Sequence, residues 1–175
     1  MRHDRKMIEM ALAPLVGLPL WSAGRAADLE WFQFGAPHVV VAQVGKAKGS
    51  ERTVGEFALH VQCAWRISGP SGVVVASRDR YVPAGDPDSV SPEWEWDQPG
   101  ANRCDERIHA WCHGNAYIVR SVAADTLGGL SLVLSDDFML DVFPDDSLQG
   151  EHWRLLQPGR ATAHFVVRGG GLDAE

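Results

Sequence analysis

From Glu56 to Ser68 the chain alternates between apolar and polar positions. Phe57, Leu59, Val61, Cys63, Trp65 and Ile67 fall on every second position, and Glu56, His60, Gln62, Arg66 and Ser68 lie between them with two alanines. Successive side chains of a strand point to opposite faces, so the run sets one apolar face against one mostly polar face. A helix would scatter the same residues around its axis. The pattern predicts a long, half-buried strand of an antiparallel sheet, which can leave one face wet. Trp65 and Ile67 are expected in the core, with His60 and Arg66 on the opposite side.

The rest of the chain is read the same way. Met7 to Leu12 can form a helix that Pro14 ends. Val16 to Leu20 reads as an apolar linker or short strand, and Asp28 to Phe34 as a strand closed by Gly35-Ala36-Pro37. Val39 to Val44 can extend the sheet, and Gly45 to Arg52 reads as an exposed basic loop. After the central strand, Gly69-Pro70-Ser71-Gly72 is a turn and Val73 to Tyr81 the returning hairpin partner. Val82 to Pro99 reads as a long loop, of a length that in compact domains is often functional.

Asn102 to Gly114 is the clearest helix. Asn102 caps it, Asp105 stands in a capping-box-like position, Gly114 ends it, and Cys104, Ile108, Trp111 and Cys112 form its apolar stripe. Strands follow at Tyr117 to Ala124, Leu130 to Leu134, Phe138 to Phe143, His152 to Leu156 and His164 to Arg168. In the Leu130 to Phe143 hairpin, a two-residue Asp136-Asp137 turn would set Asp141 opposite Leu132. A three-residue loop, Ser135-Asp136-Asp137, pairs Leu132 with Leu140 and Leu130 with Val142. It keeps one face apolar and asks Asp137 to adopt the left-handed region. Gly169-Gly170-Gly171 lacks a following helix and reads as a flexible tail.

The 175 residues suit one α+β domain spanning 1–175, a meandering antiparallel sheet with one main helix packed on it and a short N-terminal helix. Residues 1–15 are expected at its periphery, and 169–175 as the tail. The net charge of −7 is unevenly placed. Tyr81 to Asn102 holds Asp86, Asp88, Glu93, Glu95 and Asp97 without Lys or Arg. Asp136 to Trp153 holds Asp136, Asp137, Asp141, Asp145, Asp146 and Glu151, with no basic residue among them. Such patches disfavour nucleic acid and can steer a basic partner, although solvated loops that keep a protein soluble have the same composition. Three cysteines, Cys63, Cys104 and Cys112, form no dense framework and fit free thiols in the cytoplasm. Arg2, Arg5 and Lys6 before an apolar run to Trp21 have the outline of a secretory signal. Asp4, Glu9, Pro14, Gly17 and Pro19 interrupt that outline, the run is too short for a membrane span, and a helix packed on the sheet is the reading preferred.

Candidate chemistry is sparse. His109 and His113 share a helix side with Asp105 one turn earlier, but no third ligand stands at zinc-site spacing, so neither metal nor cofactor is expected. His60, Gln62 and Arg66 share the polar face of the central strand and could floor a ligand site, with His60 as general base. No nucleophile elbow or phosphate loop is present. In Pro92 to Gly100, PEWEWDQPG, Trp94 and Trp96 alternate with acids. Tryptophans anchor binding hot spots and also plug loops onto cores.

GLPLWSAGRAADLEWFQFG, VGEFALHVQCAWRI, WDQPGANRCDERI and the closing LSDDFMLDVFPDD, EHWRLL and HFVV resemble a group of uncharacterised small bacterial proteins. No established activity attaches to that group, so the resemblance implies no catalytic residue. The closing pattern of strand, turn, strand and Trp-containing strand also resembles immunity proteins encoded beside bacterial toxins. The expected function is binding without catalysis, immunity-like and cytoplasmic, through Trp94, Trp96, Asp97, Asp145, Asp146 and Glu151 toward a basic protein. The alternative is a small-molecule-binding or enzymatic domain using His60, Gln62 and Arg66. A secreted binding protein is the third reading, if the N-terminus is cleaved.

Overall fold

The computed structural model describes residues 3–42 and 48–174. In chain order its elements are α1 (Arg5–Leu12), β1 (Pro19–Ala26), β2 (Leu29–Phe34), β3 (His38–Val41), β4 (Glu51–Val54), β5 (Phe57–Val61), β6 (Ala64–Gly69) and β7 (Gly72–Ala76). After the long loop come α2 (Arg103–Cys112), β8 (Tyr117–Ala124), β9 (Leu130–Leu134), β10 (Met139–Phe143), β11 (Glu151–Leu156), β12 (Phe165–Arg168) and β13 (Gly171–Ala174). Eleven strands make one sheet in the order β13-β12-β11-β5-β2-β1-β8-β9-β10-β6-β7, while β3 and β4 form a separate ribbon. Neighbouring strands run antiparallel throughout, and two helices pack on the sheet, which makes the fold α+β.

The alternation from Glu56 to Ser68 predicts one strand, and the structure breaks it at Gln62-Cys63. The break has a topological reason. β5 pairs with β2 and β11, whereas β6 pairs with β10 and β7, far along the sheet. Two adjacent stretches of chain reach such different neighbours only if the sheet folds over, with the bend as the corner where the chain passes between its halves. The two-residue period survives the corner. Leu59, Val61, Cys63, Trp65 and Ile67 are all buried, and Arg66 is exposed on the far side. Trp65 of one half meets Phe32 of the other edge-on, ring centroids 5.4 Å apart.

Elsewhere the ladder between the halves is short, pairing Pro19 with Ile118 and Leu20 with Tyr117 and continued by hydrogen bonds of Gly17 and Leu18 with Val119. Past them β1 leaves β8, and α2 packs against both β1 and β7. The Asn102 side chain caps α2 by accepting the Asp105 N–H at 2.9 Å, and Gly114 takes φ 73° just beyond its end. Cys104, Ile108 and Trp111 are buried along the expected stripe. α1 is capped by the Asp4 carboxylate, and Ile8, Leu12 and Leu15 are wholly buried, each contributing about 1.5–3 kcal/mol.

The β9–β10 hairpin takes the three-residue loop, with Leu132 opposite Leu140 and Leu130 opposite Val142. Both Asp136 (φ 58°) and Asp137 (φ 59°) occupy the left-handed region. A β-branched residue is strained there, so Asp137→Val should cost about 1–2 kcal/mol in urea unfolding. An unchanged midpoint would refute the turn geometry.

Several expectations are corrected. The apolar linker or short strand read over Val16 to Leu20 is a strand at its end, which begins at Pro19 and runs well past it to Ala26. β3 joins β4 and does not extend the main sheet. The end of the Val39 to Val44 reading and the first three residues of the Gly45 to Arg52 loop lie outside the described residues; residues 48–49 form a turn, and Glu51 and Arg52 belong to β4. The strand read over Val73 to Tyr81 stops at Ala76, and residues 77–81 form a helical turn. The Gly169 to Gly171 segment is no loose tail: it turns the chain into β13, which pairs with β12.

Candidate functional site

The long acidic loop is held by its own tryptophans and by one arginine. Arg25 on β1 forms a bidentate pair with Asp105, at 2.6 and 2.9 Å, and its side chain is only 6% exposed. From there its guanidinium donates to the carbonyls of Trp96 and Gln98 and lies 5.8 Å from the Trp96 ring centre. The Asn102 amide also donates to Trp96 O, at 2.7 Å. The Asp105 carboxylate takes the Gly100 N–H rather than closing a capping box on the Asn102 backbone. Trp94 donates its indole N–H to Ala101 O at 2.7 Å, and Trp96 packs edge-on to Tyr81. Both indoles are half-buried: Trp94 ties the loop back to Ala101, Trp96 packs on Tyr81, and each keeps part of its surface in solvent.

The loop's five acids are treated differently from its tryptophans. Asp86, Asp88, Glu93, Glu95 and Asp97 are all exposed, and none enters an ion pair among the described residues. Asp86 spends its carboxylate locally, accepting the Asp88 N–H and the Ser89 hydroxyl. The pinned stretch from Trp94 to Ala101 thus presents Glu95 and Asp97 outward, with Asp86, Asp88 and Glu93 exposed before it.

The second acidic segment is divided. Asp145 accepts the Ala64 N–H at 3.1 Å and lines a depression of about 200 Å³ at the β5–β6 bend. Tyr81, which touches Trp96, lines the same depression, as do Arg78 and Arg80. Asp145 therefore stands near the base of the first acidic loop, with two basic residues beside it. Asp146 accepts the Leu148 N–H and lines another hollow, of about 310 Å³, with the buried His3 and His152. Asp141 lies in the sheet, accepting from Ser131 at 2.6 Å and Arg66 at 3.2 Å.

Glu151 also leaves the acidic surface, because Arg154 grips it through two hydrogen bonds and its side chain is 9% exposed. It joins the outer face of β5. There His60 lies opposite Arg154, which contacts His164 at 3.0 Å, and Gln62 hydrogen-bonds Glu151. Burial, with Arg154 next, pushes the His60 imidazole below its ordinary value. Burial alone would raise Glu151, but the hydrogen bonds from Arg154 and Gln62 prevail and hold it below the usual range. Arg66 is not part of this cluster: the bend puts it with Asp141 and over the Phe143 ring. The predicted floor of His60, Gln62 and Arg66 is therefore two separate places.

A cleft of about 580 Å³ between β1 and α2 was not anticipated from the sequence. Its signal was present as a run of small residues, Ser22-Ala23-Gly24 and Ala26-Ala27, which leaves room beside a helix. The exposed His109 and His113 stand on its helical wall, rings stacked at 4.9 Å, and the acidic loop closes one end through Asp97, Pro99 and Gly100. Burial pushes the Cys112 thiol up to about 12, the neighbouring Ala23 backbone opposing it, so it is no nucleophile at neutral pH. Among the described residues no group of three His, Cys, Asp or Glu is placed to hold a metal ion.

One carboxyl lies inside the molecule. Glu30 on β2 is 1% exposed, 3.9 Å from the Cys104 sulfur, and burial raises its pKa to about 8 against the opposing charge of Arg80. No described helix is long and apolar enough to cross a membrane. No family model matches the chain, and neither a curated protein nor a solved structure resembles it significantly.

Proposed function

We propose that this chain is a non-catalytic binding domain, immunity-like and cytoplasmic, that docks a basic protein on its acidic Trp-containing loop. One observation carries the reading. Arg25, Asn102 and the two indoles fix the loop's backbone from Trp94 to Ala101, while the five carboxylates of the loop stay exposed and, among the described residues, outside any ion pair. Like charges held side by side repel, and a loop serving only solubility has no need of a fixed backbone. Fixed carboxylates lower the ordering cost of association and steer a cationic surface toward the half-exposed Trp94 and Trp96. Asp145 extends the patch at the bend, Asp146 lies exposed beyond it over a different hollow, and Glu151 contributes less because Arg154 holds it.

The test is an affinity capture from the source cell with wild type and with a variant carrying Asp86→Asn, Asp88→Asn, Glu93→Gln, Glu95→Gln and Asp97→Asn. Wild type should retain a basic protein that elutes as salt rises, since exposed charges are screened beyond about 8 Å at physiological ionic strength. The neutralised variant should retain at least tenfold less. Equal retention by both would refute the reading. The alternative, a ligand-binding or enzymatic site, draws on the His60, Gln62, Glu151 and Arg154 cluster, where hydrogen bonds already hold Glu151 and Arg154 to each other.

A further inference from the structure

The cleft between β1 and α2 shares Asp97, Pro99 and Gly100 with the acidic loop, and its chemistry narrows what a basic partner would place there. Its volume of about 580 Å³ is ample for a large side chain and falls in the range of sites that enclose small ligands, roughly 300–1,000 Å³. Its apolar lining includes the buried Ile108 and the half-buried Cys112. The Arg25–Asp105 pair within it is closed on itself, because the Asp105 oxygens accept from Arg25, Gly100 and Asn102. That leaves Asp97 as the one exposed, unpaired carboxylate among the residues lining it. His109 and His113 stack on each other, 26° from parallel, and leave an outer ring face of the pair open beside the cleft.

An apolar lining, an open aromatic face and one free carboxylate at the rim match the parts of an arginine. Its hydrocarbon stem covers apolar surface, its flat guanidinium stacks on rings, and its charge is delocalised and weakly hydrated. Lysine offers a compact, strongly hydrated ammonium that does not stack. We propose that the cleft is the anchor pocket for an arginine side chain of the basic partner, with its stem over Ile108 and its guanidinium between the histidine pair and Asp97. This rests on the reading above and adds to it a place and a residue type.

Hexa-arginine and hexa-lysine peptides separate the two claims, with amide chemical shifts of the whole chain as the readout. Hexa-arginine should move the amides of residues 22–25 and 108–113 together with those of 86–97, whereas hexa-lysine should move 86–97 alone. Ser22→Phe, which fills the cleft, should weaken hexa-arginine binding about tenfold and leave hexa-lysine binding unchanged. His109→Ala, which removes one stacking face without adding bulk, should do the same and covers the case in which Ser22→Phe does not fold. Hexa-arginine shifts confined to 86–97, or unweakened hexa-arginine binding by His109→Ala, would overturn the anchor pocket and leave the acidic loop standing. No shift with either peptide would overturn both.

Discussion

Trp65→Ala should lower the unfolding free energy by about 3–5 kcal/mol. The indole is wholly buried just past the bend and packs edge-on against Phe32 from the other half of the sheet. Removing it opens a cavity at the contact that holds the two halves together, where neither strand can move inward without losing its ladder. Its N–H has no hydrogen-bond partner, so the loss comes from packing and transfer, with no hydrogen bond forfeited. Trp65→Phe keeps an aromatic edge against Phe32 and removes that orphaned donor, so it should cost under about 1.5 kcal/mol. Urea unfolding measures both. A loss below 1 kcal/mol for the alanine variant would mean that the halves do not depend on this contact.

The second large effect is a fall in stability with alkali that Glu30→Gln abolishes. Burial raises the Glu30 carboxyl from 4.5 to about 8, with Asp105 adding to the rise while Arg80 and Arg25 oppose it. A carboxyl whose pKa is raised on folding favours the native state fully below the unfolded value. That advantage is lost as pH climbs from 4.5 through about 8, because the folded chain holds a proton that the unfolded chain has released. At about 1.4 kcal/mol per pH unit, the loss over the window is on the order of 3–5 kcal/mol. Unfolding between pH 6.5 and 8.5, above the range in which the buried histidines titrate, should show the midpoint falling in wild type and staying nearly level in Glu30→Gln. The ceiling avoids the buried thiols, since Cys63 is held up near 12 by burial and would add its own slope above its ordinary value of 9.0. His3 and His60, both lowered chiefly by burial, act on the other limb. Their contribution is lost as pH falls below 6.5, so the acid side should persist in the variant. Identical alkaline slopes in the two proteins would show that Glu30 is not the source.

The residues announce some of this architecture and hide the rest, for identifiable reasons. Alternation is local, so the inward side chains from Leu59 to Ile67 and the Leu132–Leu140 register follow from pattern alone. The corner at Gln62-Cys63 is invisible because the two-residue period passes through it unbroken. What reveals the corner is which distant strands pair on each side. Most of β1 is missed because Ser22 to Ala27 is mostly small residues, which carry little hydrophobic signal and have weak strand preference. The site is legible only as composition. Acidic runs are plain in the sequence, but nothing local says that Arg25, far upstream, reaches Trp96 and Gln98, or that Glu151 turns away to Arg154. Glu30 sits between hydrophobic neighbours on a strand, and its burial follows from α2 packing over β1, a tertiary event.

The bend also sets an order of events during synthesis. One edge of β5 is served by β2, which leaves the ribosome first, but its other edge waits for β11, near the end of the chain. At ordinary elongation speeds of ~5–20 residues per second, that edge and the apolar side chains beside it stand uncovered for roughly 5–20 s. β6 waits almost as long for β10. A message truncated after β10 would yield a polypeptide with β5 open for good, its unpaired backbone a template for strands of other molecules.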